Sequence, residues 1–489
     1  MSLSEKDLLA KVPTGLYIDG KWVSGHGAKP IRVEDPATGK TLIEIANANS
    51  DDALAALTAA DKAQEKWART PSRERAEILR RTFDLVKARS EEFAMLISLE
   101  MGKPLAEARG EVTYGNEFLR WFSEESVRIT GRYNSNPEGT GKILIAKRPV
   151  GPAFAITPWN FPLAMATRKI GPALAAGCTI VVKPAELTPL TTLLLVKTFE
   201  EAGVPAGVIN VITTSTSSAT SGPLIADHRL RKITFTGSTT VGRKLIQQAS
   251  ERVLRTSMEL GGNAPFLVFE DADVDAAVAG AMLAKMRNIG QACTAANRFI
   301  VHESVAEEFG SKFAAKMGEL KLGRGVAEGT TCGPVINQAA QDNMERLVSA
   351  TISEGGNVLV GGESLESDGY FFKPTVLDNV SADSTIWKEE IFGPIAPIVR
   401  FKNEEDAVRL ANDTEYGLVS YAYTNDAKRQ LRLVETLDTG MTGINSGLVS
   451  NAAAPFGGTK ASGMGREGGA EGIDEYLEVK YAFIPDPFA

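Results

Sequence analysis

The sequence predicts an α/β protein: a doubly wound parallel sheet, a second α/β block, and a small β element at the margin. Three observations predict this. Strand-length apolar runs at 153–157, 179–182, 208–212 and 231–236 alternate with helical runs and start roughly 23 to 29 residues apart, the βαβ rhythm of a parallel sheet. After a break at Leu260-Gly-Gly-Asn263, strand and helix signals resume and continue to about 450. At 489 residues the chain exceeds one ordinary core, so two or three domains are expected.

Residues 15–48 read as short strands and turns. There Tyr17-Ile-Asp-Gly-Lys-Trp-Val-Ser-Gly25 sets a turn glycine between apolar pairs, a hairpin pattern. From 50 to 129 the period becomes helical. Ser50-Asp-Asp52 is placed to cap a run carrying Leu54 and Leu57, and Ile78, Leu79, Phe83 and Val86 mark the next helix. Gly102-Lys-Pro104 ends a third, and a fourth, about 106–128, carries Phe118, Leu119 and Phe122. Extended signals flanking Asn134-Ser-Asn-Pro-Glu-Gly-Thr-Gly141 predict a protruding hairpin suited to subunit contact. Beyond the break, Pro265-Phe-Leu-Val-Phe269 is a strand and a helix of about 273–289 leads to Cys293. The stretch 476–483 alternates as a terminal strand, for which a second subunit is one candidate partner.

Composition narrows the function. Charged residues at 23% and hydrophobic ones at 43% are ordinary for a soluble globular protein, and the net charge of −8 argues against a nucleic-acid partner. No 18-residue apolar window and no basic-then-apolar opening are present, so neither a membrane span nor a secretory signal is expected. Three cysteines imply a reducing, cytoplasmic setting without a disulfide framework. His26, His228 and His302 show no metal-ligand spacing, so no metal site is expected.

Ligands of doubly wound sheets bind beyond the carboxyl ends of the strands. Those ends carry Thr157-Pro-Trp-Asn160, Lys183-Pro-Ala-Glu186 and Thr236-Gly-Ser-Thr-Thr-Val-Gly242. Lys183 can meet a phosphate or a ribose hydroxyl, Glu186 can accept from ribose hydroxyls, and the turn Gly237-Ser238 to Gly242 lets a helix amino terminus approach a pyrophosphate. A G-x-G-x-x-G string does occur at Gly463-Met-Gly-Arg-Glu-Gly468, but no apolar strand precedes it, so it reads as a glycine-rich loop.

Cys293, beside the turn glycine Gly290, is the candidate nucleophile. Asn160 can donate its amide hydrogens to an oxyanion, and Glu259 can act as base. A cysteine hydrolase would need a histidine partner, and none has such a setting.

The ordered series Pro158-Trp-Asn-Phe-Pro162, Lys183-Pro-Ala-Glu186, Phe235-Thr-Gly-Ser238, Met258-Glu-Leu-Gly-Gly262, Gly290-Gln-Ala-Cys293, Glu389-Glu-Ile-Phe-Gly-Pro394, Pro455-Phe-Gly-Gly458 and Ser462-Gly-Met-Gly-Arg466 resembles the aldehyde dehydrogenase superfamily along essentially the whole chain. The resemblance implies a dinucleotide-binding domain from 1–126 and 150–261, a catalytic domain over 262–461, and an oligomerisation element from 127–149 and 462–489. It implies a homodimer or homotetramer, structural roles for Cys178 and Cys332, and oxidation through a Cys293 thiohemiacetal and thioester. Asn160 and the Cys293 N–H would hold the oxyanion, and Glu259 would activate water. The cofactor implied is NAD, because Glu186 opposes a 2′-phosphate, with NADP admitted if that side chain rotates. Thr157, Trp159, Lys183, Gly237, Ser238, Gly242, Glu390 and Phe392 complete the expected cofactor contacts.

Segments at 166–169, 285–291 and 447–451 look like the succinate-semialdehyde dehydrogenase branch, whose substrate carboxylate is held by residues matching Arg168, Arg287 and Ser450. Arginine forks suit a carboxylate. Thr294-Ala295 departs from the Val-Cys of that branch, so a disulfide switch cannot form. Glutarate or 2-oxoglutarate semialdehyde, one carbon longer, or a broad aldehyde range, are the alternative substrates.

Overall fold

The computed structural model describes residues 4–488. Residues 1–3 and 489, the outer ends of the expected cofactor and oligomerisation segments, lie outside the described residues. The four expected strands form as β1 (Ala153–Ile156), β2 (Ile180–Lys183), β3 (Ile209–Val211) and β4 (Lys232–Thr236). A fifth, β5 (Arg255–Glu259), lacks an apolar run and becomes a strand through parallel pairing with β4 along its whole length. The five run in parallel in the order β3-β2-β1-β4-β5. Strand order reverses between β1 and β4, and the loops leaving these two strands part to form a crevice.

The hairpin of Leu16–Ile18 and Lys21–Val23 extends one edge of this sheet, turning through Asp19 and Gly20 at φ 51° and 74°. Gly463–Met464 extends the other edge against β5. Of the Gly463–Gly468 stretch expected as a loop, Gly463–Met464 is thus a short strand made by pairing with β5, and the residues after it carry Glu467 into the interior. The helix after residue 50 spans Ser50–Arg69, but its cap is Asn49 rather than Ser50-Asp-Asp52. Asn49 Oδ1 accepts the Asp51 and Asp52 amides at 2.9 and 3.0 Å, and Asp52 accepts the Asn49 N–H at 3.0 Å, a reciprocal box worth about 1 kcal/mol.

Helix α1 (Leu105–Glu125) packs on α2 (Ala164–Ala176), and α3 (Thr239–Ser250) starts directly after β4. The break at 260–263 is where the chain leaves the first sheet and enters a second at β6 (Ala264–Val268). That sheet has seven strands, with β6 and β7 (Ala296–His302) at its centre and a single antiparallel pair at one edge. Helix α4 (Val274–Met286) stops three residues short of the expected 289.

The terminal strand, Leu477–Pro485, finds a partner within its own chain. It pairs antiparallel with Gly141–Pro149 over nine residues, and Arg132–Ser135 completes a three-stranded sheet. Cys178 and Cys332 are buried free thiols. Among the described residues no helix is long and apolar enough to cross a membrane.

Candidate active site

The crevice between β1 and β4 opens on a cavity of about 230 Å³. The loop after β1 contributes Trp159 and Asn160, the loop after β4 contributes Gly237 and Ser238, and the crossing between the sheets contributes Leu260 and Gly261. Cys293, Arg168, Arg287, Glu390, Phe392 and Ser450 complete the expected residues on this wall, with Tyr114, Phe161, Met165 and Phe456 as apolar lining. Thr157, Lys183, Glu186, Gly242 and Glu259 are not on it. Thr157, Lys183 and Glu259 are buried at the ends of their strands, and Gly242 lies in the first turns of α3. Glu186 instead faces a neighbouring cleft with Lys29, Arg32 and Ser215.

These residues fit a dinucleotide. Ser238 caps α3, accepting the Val241 N–H, so that the amino terminus of a twelve-residue helix points at the crevice, a suitable seat for pyrophosphate. Glu390, expected from the family resemblance to hold the nicotinamide ribose, lines the cavity together with Cys293; its Oε1 accepts the Gly262 N–H at 3.0 Å, and burial raises its carboxyl to about 7. Trp159 and Phe392 meet edge to face at 5.5 Å and wall the passage. Burial lowers Lys183, partly offset by Glu186.

Cys293, the candidate nucleophile, follows an unusual turn. Asn288, Ile289 and Gly290 have φ of 57°, 59° and 72°, three consecutive left-handed residues. Asparagine and glycine tolerate this; a β-branched isoleucine costs roughly 1–2 kcal/mol there. Position 290 must be glycine, since a Cβ would lie 2.2 Å from Gly393 O. Position 262 must be bare as well, because a Cβ would press on Cys293 O at 2.6 Å. Asn288 Nδ2 donates to Asn160 O and Gln291 O at 3.0 and 2.9 Å, and Asn160 Nδ2 donates to Gln291 O at 3.0 Å. One Asn160 amide hydrogen therefore remains unspent, and the Cys293 N–H has no protein acceptor among the described residues. Two free donors beside a thiol can hold an oxyanion on a carbon bonded to that sulfur.

Burial pushes the Cys293 thiol up to about 12; Arg168 and Arg287 pull it down while Glu259 and Glu390 push it up. Glu259, buried at the end of β5, has one carboxylate oxygen with no hydrogen-bond partner. Burial holds its carboxyl well above the usual range, reinforced by the Glu467 charge and opposed by Arg168 and Lys169. Glu467 takes both of those cations: Lys169 Nζ lies 2.5 Å from Oε1 and Arg168 Nη2 lies 2.7 Å from Oε2.

The expected carboxylate hooks are brought to one wall. Arg287 Nη1 donates to Ser450 Oγ at 3.2 Å, with the guanidinium over the Phe161 and Tyr114 rings at 5.0 and 5.4 Å. Arg168 lies 4.0 Å over the Phe456 ring; its charge is shared with Glu467, and its Nε is buried without an acceptor. The residues not identified from sequence are Lys103, Glu107, Glu111, Asn288, Lys169 and Glu467. Charged side chains at 107 and 111, one turn apart on an amphipathic helix, were the available signal for two of them.

A thiol with free backbone and amide donors, a buried carboxylate and a crevice fitted to a dinucleotide are the parts of a nucleotide-dependent oxidoreductase. The model of the aldehyde dehydrogenase family matches residues 22–482, and the chain belongs to that family. It is 61% identical to the succinate-semialdehyde dehydrogenase of Paenarthrobacter nicotinovorans, over 91% of this chain and 99% of that protein. It is 46% identical to the glutarate-semialdehyde dehydrogenase of Pseudomonas putida, over 96% and 97%. Two solved structures each superpose with a TM-score of 0.96. An Escherichia coli NADP-dependent enzyme is 44% identical over 99% of this chain and all of that one. The Staphylococcus aureus betaine aldehyde dehydrogenase in complex with NAD+ is 33% identical over 98% and 97%.

Proposed function

We propose that the protein oxidises succinate semialdehyde to succinate through a cysteine-bound intermediate. The observation that carries the substrate is the hydrogen-bonded Arg287–Ser450 pair on the same cavity wall as Cys293. A small aldehyde with a carboxylate at its far end can reach the guanidinium with one end and the thiol with the other. Cys293 adds to the aldehyde carbon, and Asn160 with the Cys293 N–H holds the oxyanion; one such donor contributes about 3–4 kcal/mol to the transition state. NAD or NADP bound in the crevice supplies the hydride acceptor. The tetrahedral carbon would lose its hydrogen as hydride to that acceptor while the oxyanion reforms a carbonyl, leaving a thioester on Cys293, and Glu259 takes a proton from the water that hydrolyses it, with the Cys293 thiolate as leaving group.

Thr157, Trp159, Lys183, Gly237, Ser238, Gly242, Glu390 and Phe392 hold the dinucleotide in this reading, and Glu186 favours NAD because a carboxylate repels a 2′-phosphate. The cofactor domain is 1–126 and 150–261, the catalytic domain 262–461, and the oligomerisation element 127–149 and 462–489. The last of these joins copies into a homodimer or homotetramer. Sparse unpaired cysteines suit a cytoplasmic setting. Glutarate semialdehyde is the second reading, supported by the P. putida relative.

Rates of cofactor reduction with succinate semialdehyde, glutarate semialdehyde and butanal, each with NAD and NADP, test this. Succinate semialdehyde with NAD is expected to give the highest kcat/KM. Replacing Arg287 by Gln should lower kcat/KM roughly 10- to 100-fold for the acids and little for butanal, the loss expected for one charged contact. Equal loss on all three aldehydes would remove the carboxylate hook.

A further inference from the structure

Helix α1 touches both halves of the oxyanion site through two acids, the half-buried Glu107 and the buried Glu111, neither of which lines the cavity. Glu107 and Glu111 are one turn apart on it. Glu111 Oε1 accepts the Leu163 and Ala164 amides at 2.9 and 3.3 Å, fixing the chain that follows Asn160. Its Oε2 holds Lys103 Nζ at 2.5 Å, and Lys103 donates onward to Asn160 O at 2.9 Å. Glu107 Oε2 accepts the backbone N–H of Asn288, the first residue of the left-handed turn. Asn288 is fully buried, and its side chain ties Asn160 O to Gln291 O. Without Glu107 that buried N–H has no acceptor, in a segment already held in an unfavourable backbone region.

We propose that Glu107 is a positioning residue for the reaction: its bond to the Asn288 N–H locks the left-handed turn and keeps the Cys293 N–H and the Asn160 amide aimed at one point. The proposal rests on the reading of Cys293 as nucleophile and Asn160 as oxyanion donor. Glu107 acts through the turn and does not touch the substrate. A donor displaced by about an ångström forfeits roughly 10- to 100-fold in rate, and the loss falls on adduct formation rather than on aldehyde binding.

Three variants separate the hydrogen bond from the charge. Glu107→Gln keeps an acceptor oxygen at the same reach and loses the charge; Glu107→Asp keeps the charge and withdraws the acceptor by one methylene; Glu107→Ala removes both. The rapid burst of reduced cofactor reads adduct formation. Alkylation of Cys293 by iodoacetamide, followed by mass spectrometry without cofactor, reads the thiol alone, because displacement at a saturated carbon builds no oxyanion. The expected result is a burst rate within about threefold of the parent for Gln and roughly 10- to 100-fold slower for Asp and Ala, with KM and alkylation rate changed by less than about threefold throughout. If Ala does not fold, Asp and Gln decide.

A normal burst in Glu107→Asp overturns the proposal, as does equal impairment of Gln and Asp, which would make the charge the operative feature. Alkylation falling in step with the burst overturns it too, since the role would then be merely structural. Cys293→Ala that still turns over, or Asn160→Ala with a normal burst, would instead sink the reading of the site itself.

Discussion

Glu259 lies in a field of two opposite influences. Burial and the Glu467 carboxylate keep its proton on, while Arg168 and Lys169, both engaged by Glu467, help to take it off. As a base it must be ionised, so hydrolysis of the thioester is present above this raised pKa and lost as pH falls through it. Steady-state turnover should therefore have an acidic limb well above the ordinary carboxylate range. Glu467→Gln removes one raising charge and leaves two cations less compensated. Both changes lower the Glu259 pKa, and the acidic limb should move to lower pH. A limb that stays in place would separate it from Glu259. Glu259→Gln should keep the burst of reduced cofactor and slow steady-state turnover by roughly 10²- to 10⁴-fold, the range for a lost general base. Single-turnover fluorescence of the reduced cofactor distinguishes the two phases.

The element on which the site depends is the turn after α4, and it is the part least legible in the sequence. Apolar spacing continues through Ile289, so a helix to 289 is the natural expectation. The helix ends at Met286, and the Asn288 N–H, just beyond it, is accepted by a carboxylate 181 residues away in the chain. Likewise Lys169 and Glu467, 298 residues apart, meet only through folding. The parallel strands were legible because apolar runs of strand length carry their own signal, whereas β5 is made by its neighbour β4. Cys293, Asn160 and Glu259 were singled out as candidates because their chemistry and family resemblance coincide. Arg287 and Ser450 were named as partners of a substrate, and their bond to each other is seen only in three dimensions. Gly290→Ala tests the turn directly. Positive φ and the 2.2 Å approach to Gly393 O leave no room for a methyl group. The variant should melt at a lower temperature and show a burst at least roughly 10-fold slower, as expected when the reacting atoms are misplaced. An unchanged burst would show that the turn does not set the geometry of the thiol.

At the scale of the whole molecule, the chain crosses between the two larger sheets from Glu259 to Ala264, and this crossing brings Leu260 and Gly261 to the cavity wall that also carries Cys293. The third sheet has a different character. Val479, Tyr481 and Phe483 alternate along the terminal strand and are 66%, 57% and 47% exposed, opposite Lys147, Ile145 and Ile143 of the paired strand. The outer edge of that terminal strand has no partner among the described strands. An apolar face beside an open strand edge is a site for association, and fully burying each large side chain contributes roughly 1.5–3 kcal/mol. Light scattering coupled to size exclusion should give two or four times the 52.3 kDa subunit mass. The double substitution of Tyr481 and Phe483 by Glu places charges where a second copy would pack, and it should reduce that mass. The folded core should persist, because both side chains project from a sheet already paired within its own chain. A parent protein that runs as a monomer would leave this face without the role assigned to it, and an unchanged mass in the double variant would place the subunit contact elsewhere.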